Sequence, residues 1–255
     1  LRMVYDLGKK YDAKKGFVVH GELPSKVNYE YQKYIKSLDF LFFRSQSSAK
    51  KMIQKHSYLD SEKIGVCFSG IPKKYLPAVN SRTETGWKRD NVFKVIYVGR
   101  LIAYKRIDSI LKALKIAFPN GNYQFDIIGD GSERVELEKI CKKNDMQNKV
   151  IFHGRMSRDE VQLKLQEADC FVMISENEVF GLVYLEAMAN GCITIASKDG
   201  GVDGIIQNGV NGFLCNQGDE KELAKILSSI DVMPYMQVAQ IREKAINTVS
   251  NYTDE

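Results

Sequence analysis

The chain has 255 residues, 44% of them hydrophobic, enough to bury the core of one large domain or two small ones and too many for a disordered chain. Its longest apolar stretches, such as CFVMIS and CITIA, are strand-length, which argues against an integral membrane protein. The net charge of +5 is uneven, with 18 Lys+Arg against 9 Asp+Glu in residues 1–90 and 19 against 23 in residues 91–255. A basic front attracts phosphate, anionic lipid or nucleic acid. Here Lys9, Lys10, Lys14, Lys15, Lys50, Lys51 and Lys55 fall on apparent helices without a nucleic-acid motif. A solvated helix surface explains them equally well, and nucleic acid is not an expected partner. Cys67, Cys141, Cys170, Cys192 and Cys215 form no C-x-x-C pair, which argues against a disulfide framework or zinc site and fits a reducing cytosol. The opening LRMVYDLGKKY lacks an initiator Met and a charged-then-apolar leader, so the chain reads as a fragment rather than a secreted precursor.

In chain order, residues 1–15 predict a helix, GFVVH at 16–20 a strand ending in His20, NYEYQKYIKSL a helix and DFLFFRS a strand. SSAKKMIQKH is a further helix, in which His56 reads as a surface residue among lysines, and KIGVCFSG a further strand. The polar VNSRTETGWKRDN, with Trp87 near its end, reads as a linker over residues 79–91 between a first unit at 1–78 and a second at 92–230. The second unit runs VFKVIYVG strand, KRIDSILKALKIAF helix, YQFDIIG strand, SERVELEKICKK helix and KVIFHG strand. Ser157 and Glu160 predict a capping box at the next helix. CFVMIS, LVYLEAMAN and CITIAS then alternate strand, helix and strand, with Gly191 at a left-handed C-cap. DEKELAKILSSI and PYMQVAQIREKAINTVS close the chain as helices, Pro234 standing in the first turn of the second. That helix, within 231–255, is expected to pack back toward the first unit. The alternation predicts an α/β fold of two Rossmann-like, doubly wound parallel-sheet domains, the first incomplete.

Three segments carry chemistry. Arg100 and Lys105 follow the carboxyl end of the VIYVG strand, where a guanidinium fork and a compact ammonium suit a diphosphate. Surface ion pairing accounts for such a pair as well. In I-G-D-G-S, Gly129 and Gly131 allow close backbone approach to a ligand, although the full dinucleotide fingerprint is absent and a plain strand-to-helix turn fits equally. In S-E-N-E-V-F-G-L-V-Y-L-E-A-M-A, Glu178 lies in a loop and Glu186 about one and a half turns into the helix that starts near Gly181. The amides of Gly181, Leu182 and Val183 form an anion site at that helix start. On spacing alone, two acids near a helix start also simply favour its dipole. The histidines are scattered and no D-x-D pair occurs, so neither metal nor cofactor is expected.

The ordered blocks VGRLIAYK, IIGDGSE, VIFHGRMSRDE, ENEVFGLVYLEAMANG and GGVDGIIQNGVNGFL resemble the C-terminal domain of family-four retaining glycosyltransferases of GT-B fold, over about residues 92–230. The stretch from GFVVHGE to KIGVCFSGIPKKYLP resembles the end of that family's N-terminal, acceptor-side domain, about ninety residues of which would precede this chain. The resemblance implies transfer of a hexose-type sugar from a UDP- or GDP-sugar to an acceptor hydroxyl with retention, in cell-surface polysaccharide or glycolipid synthesis. It implies that Arg100 and Lys105 hold the diphosphate, Glu178 the sugar hydroxyls and Glu186 the ribose. Gly181, Leu182 and Val183 would offer amides to phosphate or sugar, Met156 would lie near the base, and Gly131 would line the cleft. His20 would face the donor sugar and stabilise a developing oxocarbenium; packing alone also explains a histidine there, and more readily at His153. Three positions depart from the pattern: Arg106 stands where glycine is usual, Ser69 where asparagine is, and Asp203 where glutamate is common.

The partners implied are a nucleotide-sugar donor and a carbohydrate or lipid-linked acceptor. A cytoplasmic site follows, with peripheral contact at the inner membrane face through the basic N-terminal part. Two rival readings remain at this point. One is a two-carboxylate glycosidase, which leaves the phosphate-suited groups without purpose. The other is a nucleotide-sugar-binding fragment or inactive homologue without transfer activity.

Overall fold

The computed structural model describes residues 2–21, 23, 28–76, 87 and 92–254. The chain opens with α1 (Arg2–Tyr11), then β1 (Gly16–Val19), α2 (Tyr29–Lys36), β2 (Phe40–Phe43), α3 (Gln46–Lys55) and β3 (Ile64–Val66). The three strands form one parallel sheet in the order β1-β2-β3. Asn28 and Ser45 start α2 and α3 by accepting the backbone amides of Tyr31 and Ser48. Leu41 and Phe43 on β2 cluster with Ile35 from α2, Ala49 and Met52 from α3, and Leu38 from the turn before β2, giving this sheet its own small core. KIGVCFSG pairs only over β3, and after it the chain forms β4 (Ile71–Pro72).

His56 corrects an expectation. It caps the C-terminus of α3, only 4% exposed, its ring 5.4 Å from that of Tyr58. The helix's lysines do point outward, but His56 stands beyond the last turn, where its carbonyl accepts the Leu59 amide and the chain folds back. Helical spacing therefore does not govern its side.

The second sheet is built from β5 (Phe93–Val98), α4 (Ile107–Ala117), β6 (Tyr123–Ile128), α5 (Arg134–Lys143), β7 (Val150–Gly154), α6 (Arg158–Glu167), β8 (Cys170–Met173), α7 (Leu182–Ala189), β9 (Ile193–Ser197) and β10 (Phe213–Cys215). Its six strands are parallel in the order β10-β9-β8-β5-β6-β7. β8 and β9 are buried at every position, as helices on both faces require. The capping box at α6 is present in both directions, and Gly191 takes φ 70° after α7. α8 (Glu220–Asp231) and α9 (Tyr235–Val249) follow, with Pro234 at the N-cap of α9, one position before its first turn. α9 buries Val238, Ile241, Ala245 and Val249 in the core of the larger sheet, and β11 (Thr253–Asp254) then pairs with β4. Apart from Trp87, the interval 79–91 lies outside the described residues. Trp87 packs edge-on against Phe93, with the Arg242 guanidinium 4.5 Å from its ring centroid.

The strand order defines where a ligand can sit. From β5 the chain winds through β6 to β7, then returns to place β8 on the other side of β5. The connections that leave β5 and β8 diverge, and the crevice they open at the carboxyl ends is the usual ligand position in doubly wound sheets.

Candidate functional site

The loops after β5 and β8 face one another across this crevice. Lys105 ends a 3-10 turn at Ala103–Lys105, and its ammonium donates to the Glu178 carboxylate, both side chains being largely buried. Met173 Sδ lies 3.8 Å from the same ammonium, and the Tyr104 ring centroid 5.5 Å away. Away from bulk water such a pair attracts strongly, and deleting either member strands the other.

Two buried tyrosines brace the site from below. Tyr97 on β5 donates its hydroxyl to the Arg100 carbonyl at 2.9 Å, and Tyr184 on α7 donates to the Met173 carbonyl at 2.7 Å. Burial, followed by the nearby Glu178 carboxylate, pushes both phenols up, so each remains a neutral donor. Arg100 stands exposed on the rim and donates from Nη2 to the Tyr104 hydroxyl at 2.9 Å.

The other site candidates surround this centre. A Cβ on Gly131 would lie 2.2 Å from the Leu101 carbonyl oxygen, so glycine is required where the loop after β6 crosses the loop after β5. Gly181 takes φ 75° at the start of α7 and provides no side-chain cap there, with Leu182 exposed and Val183 half-buried just beyond. Glu186 is half-buried one turn further along; burial raises its carboxyl above the ordinary value, and Arg158 at the start of α6 opposes the rise. Met156, half-buried two residues before Arg158, packs on the main core.

The first sheet approaches the same place. A cleft of about 300 Å³ is lined by Gly21, Ser48, Lys51 and Met52 on one side and Asn177, Glu178, Val179 and Asp199 on the other. Ser47 Oγ donates to the Gly200 carbonyl at 3.0 Å, and the Arg44 guanidinium lies 5.7 Å from the Phe180 ring centroid, so the two halves touch beside the cleft. His20 is exposed just past β1; its neighbour Gly21 lines the cleft, and His20 itself is not in the lining. His153 belongs elsewhere: its Nε2 meets Asp126 Oδ1 at 2.6 Å between β7 and β6. Among the described residues no group of three or more His, Cys, Asp or Glu is arranged to hold a metal ion.

Several site residues escaped the sequence reading. Lys51 reads only as a helix-surface cation, Ser48 and Asp199 carry no motif, and Asn177 lies within the S-E-N-E motif without a role of its own. Tyr97 sits inside a strand whose alternation gives no sign that its hydroxyl grips the following loop.

Comparison with known proteins fixes the class. The family described as Glycosyl transferases group 1 matches residues 82–246, and the chain belongs to that family. A sulfoquinovosyl transferase of Arabidopsis thaliana is 36% identical over 139 residues, 53% of this chain and 26% of that protein. An N-acetyl-alpha-D-glucosaminyl L-malate synthase of Bacillus anthracis is 32% identical over 130 residues, 51% of this chain and 34% of that protein. The matched region is thus about a quarter to a third of these relatives' length. Among solved structures, Anabaena HepE in complex with UDP superposes with a TM-score of 0.79 at 23% identity, covering 97% of this chain and 70% of that one. The shared architecture is the GT-B fold of two Rossmann-like domains, the first smaller in this chain.

Proposed function

We propose that the crevice between the ends of β5 and β8 binds a nucleoside diphosphate sugar. The whole protein would move that sugar to an acceptor hydroxyl with retention at the anomeric carbon. The observation that carries this reading is the Lys105–Glu178 pair, which joins the two diverging loops and opens on the cleft between the sheets. An ammonium has three donors. Lys105 can hold Glu178 with one and donor phosphate with the others, while Glu178 keeps lone pairs for sugar hydroxyls. Arg100 on the rim and the amides of Gly181, Leu182 and Val183 add positive potential for the departing diphosphate, a charge stabilisation set before reaction. Glu186 accepts from the ribose, Met156 borders the base and Gly131 lets the loop approach. His20, at the mouth of the first sheet, faces the sugar and stabilises oxocarbenium character. The relative named a sulfoquinovosyl transferase supports sugar transfer, and the HepE structure with UDP supports a UDP-sugar as donor.

Calorimetry with UDP and GDP tests the donor site. Binding of neither to folded protein overturns the reading. Glu178→Gln is expected to leave the affinity for free nucleotide within about threefold and to lower sugar transfer by the whole protein about a hundredfold or more. Equal loss of both would contradict the assignment.

The acceptor reading extends to a lipid-linked substrate at a membrane face. Met3, Leu7 and Tyr11 are exposed at helical spacing along α1, beside Lys9, Lys10, Lys14 and Lys15, a pattern suited to an anionic lipid surface. A 30% identical relative from Acholeplasma laidlawii, matched over 37% of its length, is named an alpha-monoglucosyldiacylglycerol synthase. Among the described residues no helix is long and apolar enough to cross a membrane. Vesicles containing phosphatidylglycerol should sediment the protein at low salt and release it at moderate salt. Failure to bind at low salt ends this extension.

A further inference from the structure

Arg106 holds a left-handed backbone conformation, φ 53° and ψ 39°, between the turn that ends at Lys105 and the start of α4. A side chain at such an angle strains the backbone, and glycine would avoid the strain. The arginine is nevertheless fully engaged. Its Nη1 meets Glu176 Oε1 at 2.6 Å, its Nη2 donates to Ser109 Oγ at 3.2 Å and its Nε lies 3.6 Å from Asp108. Glu176 is two residues before Glu178. Its own amide donates to the Tyr104 carbonyl at 2.8 Å, so this residue is tied to the β5 loop by backbone and side chain together. On the far side, the Asn177 amide donates to Gln217 Oε1, and the Gly218 amide donates to the Ile174 carbonyl at 3.0 Å. A Cβ on Gly218 would come within 3.2 Å of the Arg106 guanidinium, which closes over this turn.

From these contacts we infer that Arg106 is a positioning residue, which through Glu176 fixes the height at which Glu178 enters the crevice. The inference rests on the donor reading above and deepens it. Lys105 attracts the Glu178 carboxylate, but one ion pair does not set where the preceding backbone runs. Without a second tether the 176–178 segment, with Asn177 also left-handed at φ 52°, has no side-chain link to the β5 loop before Glu178. The Arg106–Glu176 tie is half exposed, so its use lies in geometry rather than in overall stability. A shift of the Glu178 segment by about an ångström would misplace the sugar-binding carboxylate and leave the phosphate-binding groups where they are.

The test compares two ligands across five proteins: wild type, Arg106→Gly, Glu176→Gln, the two combined, and Arg106→Lys. UDP-glucose, UDP-galactose, UDP-N-acetylglucosamine and GDP-mannose are titrated into the wild type, and the tightest is paired with its free nucleotide. Arg106→Gly and Glu176→Gln should each weaken the nucleotide sugar about tenfold, change free nucleotide less than about twofold, and combine with no further loss. Arg106→Lys, which keeps a cation within reach of Glu176, should retain most of the affinity. Arg106→Gly should also melt no lower than wild type, because glycine adopts this backbone without strain. A merely structural arginine would give the opposite pattern, with a lowered melting point and equal loss of both ligands, and that result overturns the inference. Wild-type affinity for the nucleotide sugar in both single variants overturns it too. If the wild type binds none of the four sugars or their nucleotides, the donor reading itself fails.

Discussion

The two sheets of this molecule are built alike and supported unequally. The six-stranded sheet has helices on both faces and one contiguous core that runs from Ile71 to Val249 and takes in α9. Among the described residues the three-stranded sheet has eight buried hydrophobic side chains, while Met3, Leu7, Tyr11, Tyr29, Tyr31 and Phe40 around it remain exposed. Burial of apolar area is what offsets the chain's conformational entropy, so the larger half carries its own stability and the smaller half has less to spare. The crevice residues with named partners, Lys105, Glu178, Tyr97 and Tyr184, stand on the larger half. Among the described residues, the smaller half contributes the far wall of the cleft, through Gly21, Ser48, Lys51 and Met52. Nucleotide binding should therefore depend on one sheet and sugar transfer on both.

A pair of core truncations can break this division. Phe171 on β8 is fully buried, and Phe171→Ala should cost about 3–5 kcal/mol, depress the main melting transition and remove nucleotide binding as the β8 loop loosens. Leu41→Ala on β2 should cost about 2 kcal/mol, at the low end for its type because the sparse core around it can collapse. Its free-nucleotide affinity by calorimetry should be that of wild type, and sugar transfer should fall. If Leu41→Ala abolishes nucleotide binding as Phe171→Ala does, the halves unfold as one unit and the comparison is wrong.

The same inequality explains what the sequence made legible. Strands buried on both faces, such as CFVM and ITIAS, read as continuous apolar runs, and helices between them announced themselves by spacing and by caps such as Ser157 with Glu160. Two- and three-residue pairings, β4, β10 and β11, are too short to have a period, and none was expected. At the site, Arg100, Lys105, Glu178 and Glu186 stood out as charges at strand ends and a helix start, but their partners did not. Neither spacing nor motif says that Lys105 bonds Glu178, 73 positions away, because that contact depends on β8 lying beside β5. Arg106 was visible only as a departure from the family pattern. Its left-handed backbone and its bond to Glu176 are properties of two loops meeting.

The smallest expected effect is also the one with an internal control. Glu186 lies half-buried on α7, and burial raises its carboxyl above the ordinary 4.5, against a lowering by Arg158. In the folded protein this carboxyl takes up its proton at a higher pH than in the unfolded chain. The folded state holds the extra proton between the two values, so as pH falls through that window the cost of the buried charge disappears. Glu186→Gln removes that cost outright and should melt slightly above wild type at neutral pH, the advantage vanishing as the pH approaches 4.5. Nucleotide binding should run the other way. An ionised carboxylate accepts a ribose hydroxyl more strongly than a neutral one, so wild-type affinity should decline over the same window while the Gln variant, weaker throughout, stays flat. Melting curves and titrations in one set of buffers read both trends. A wild-type affinity as flat as that of the Gln variant, beside an unchanged melting trend, would mean that Glu186 serves the fold alone.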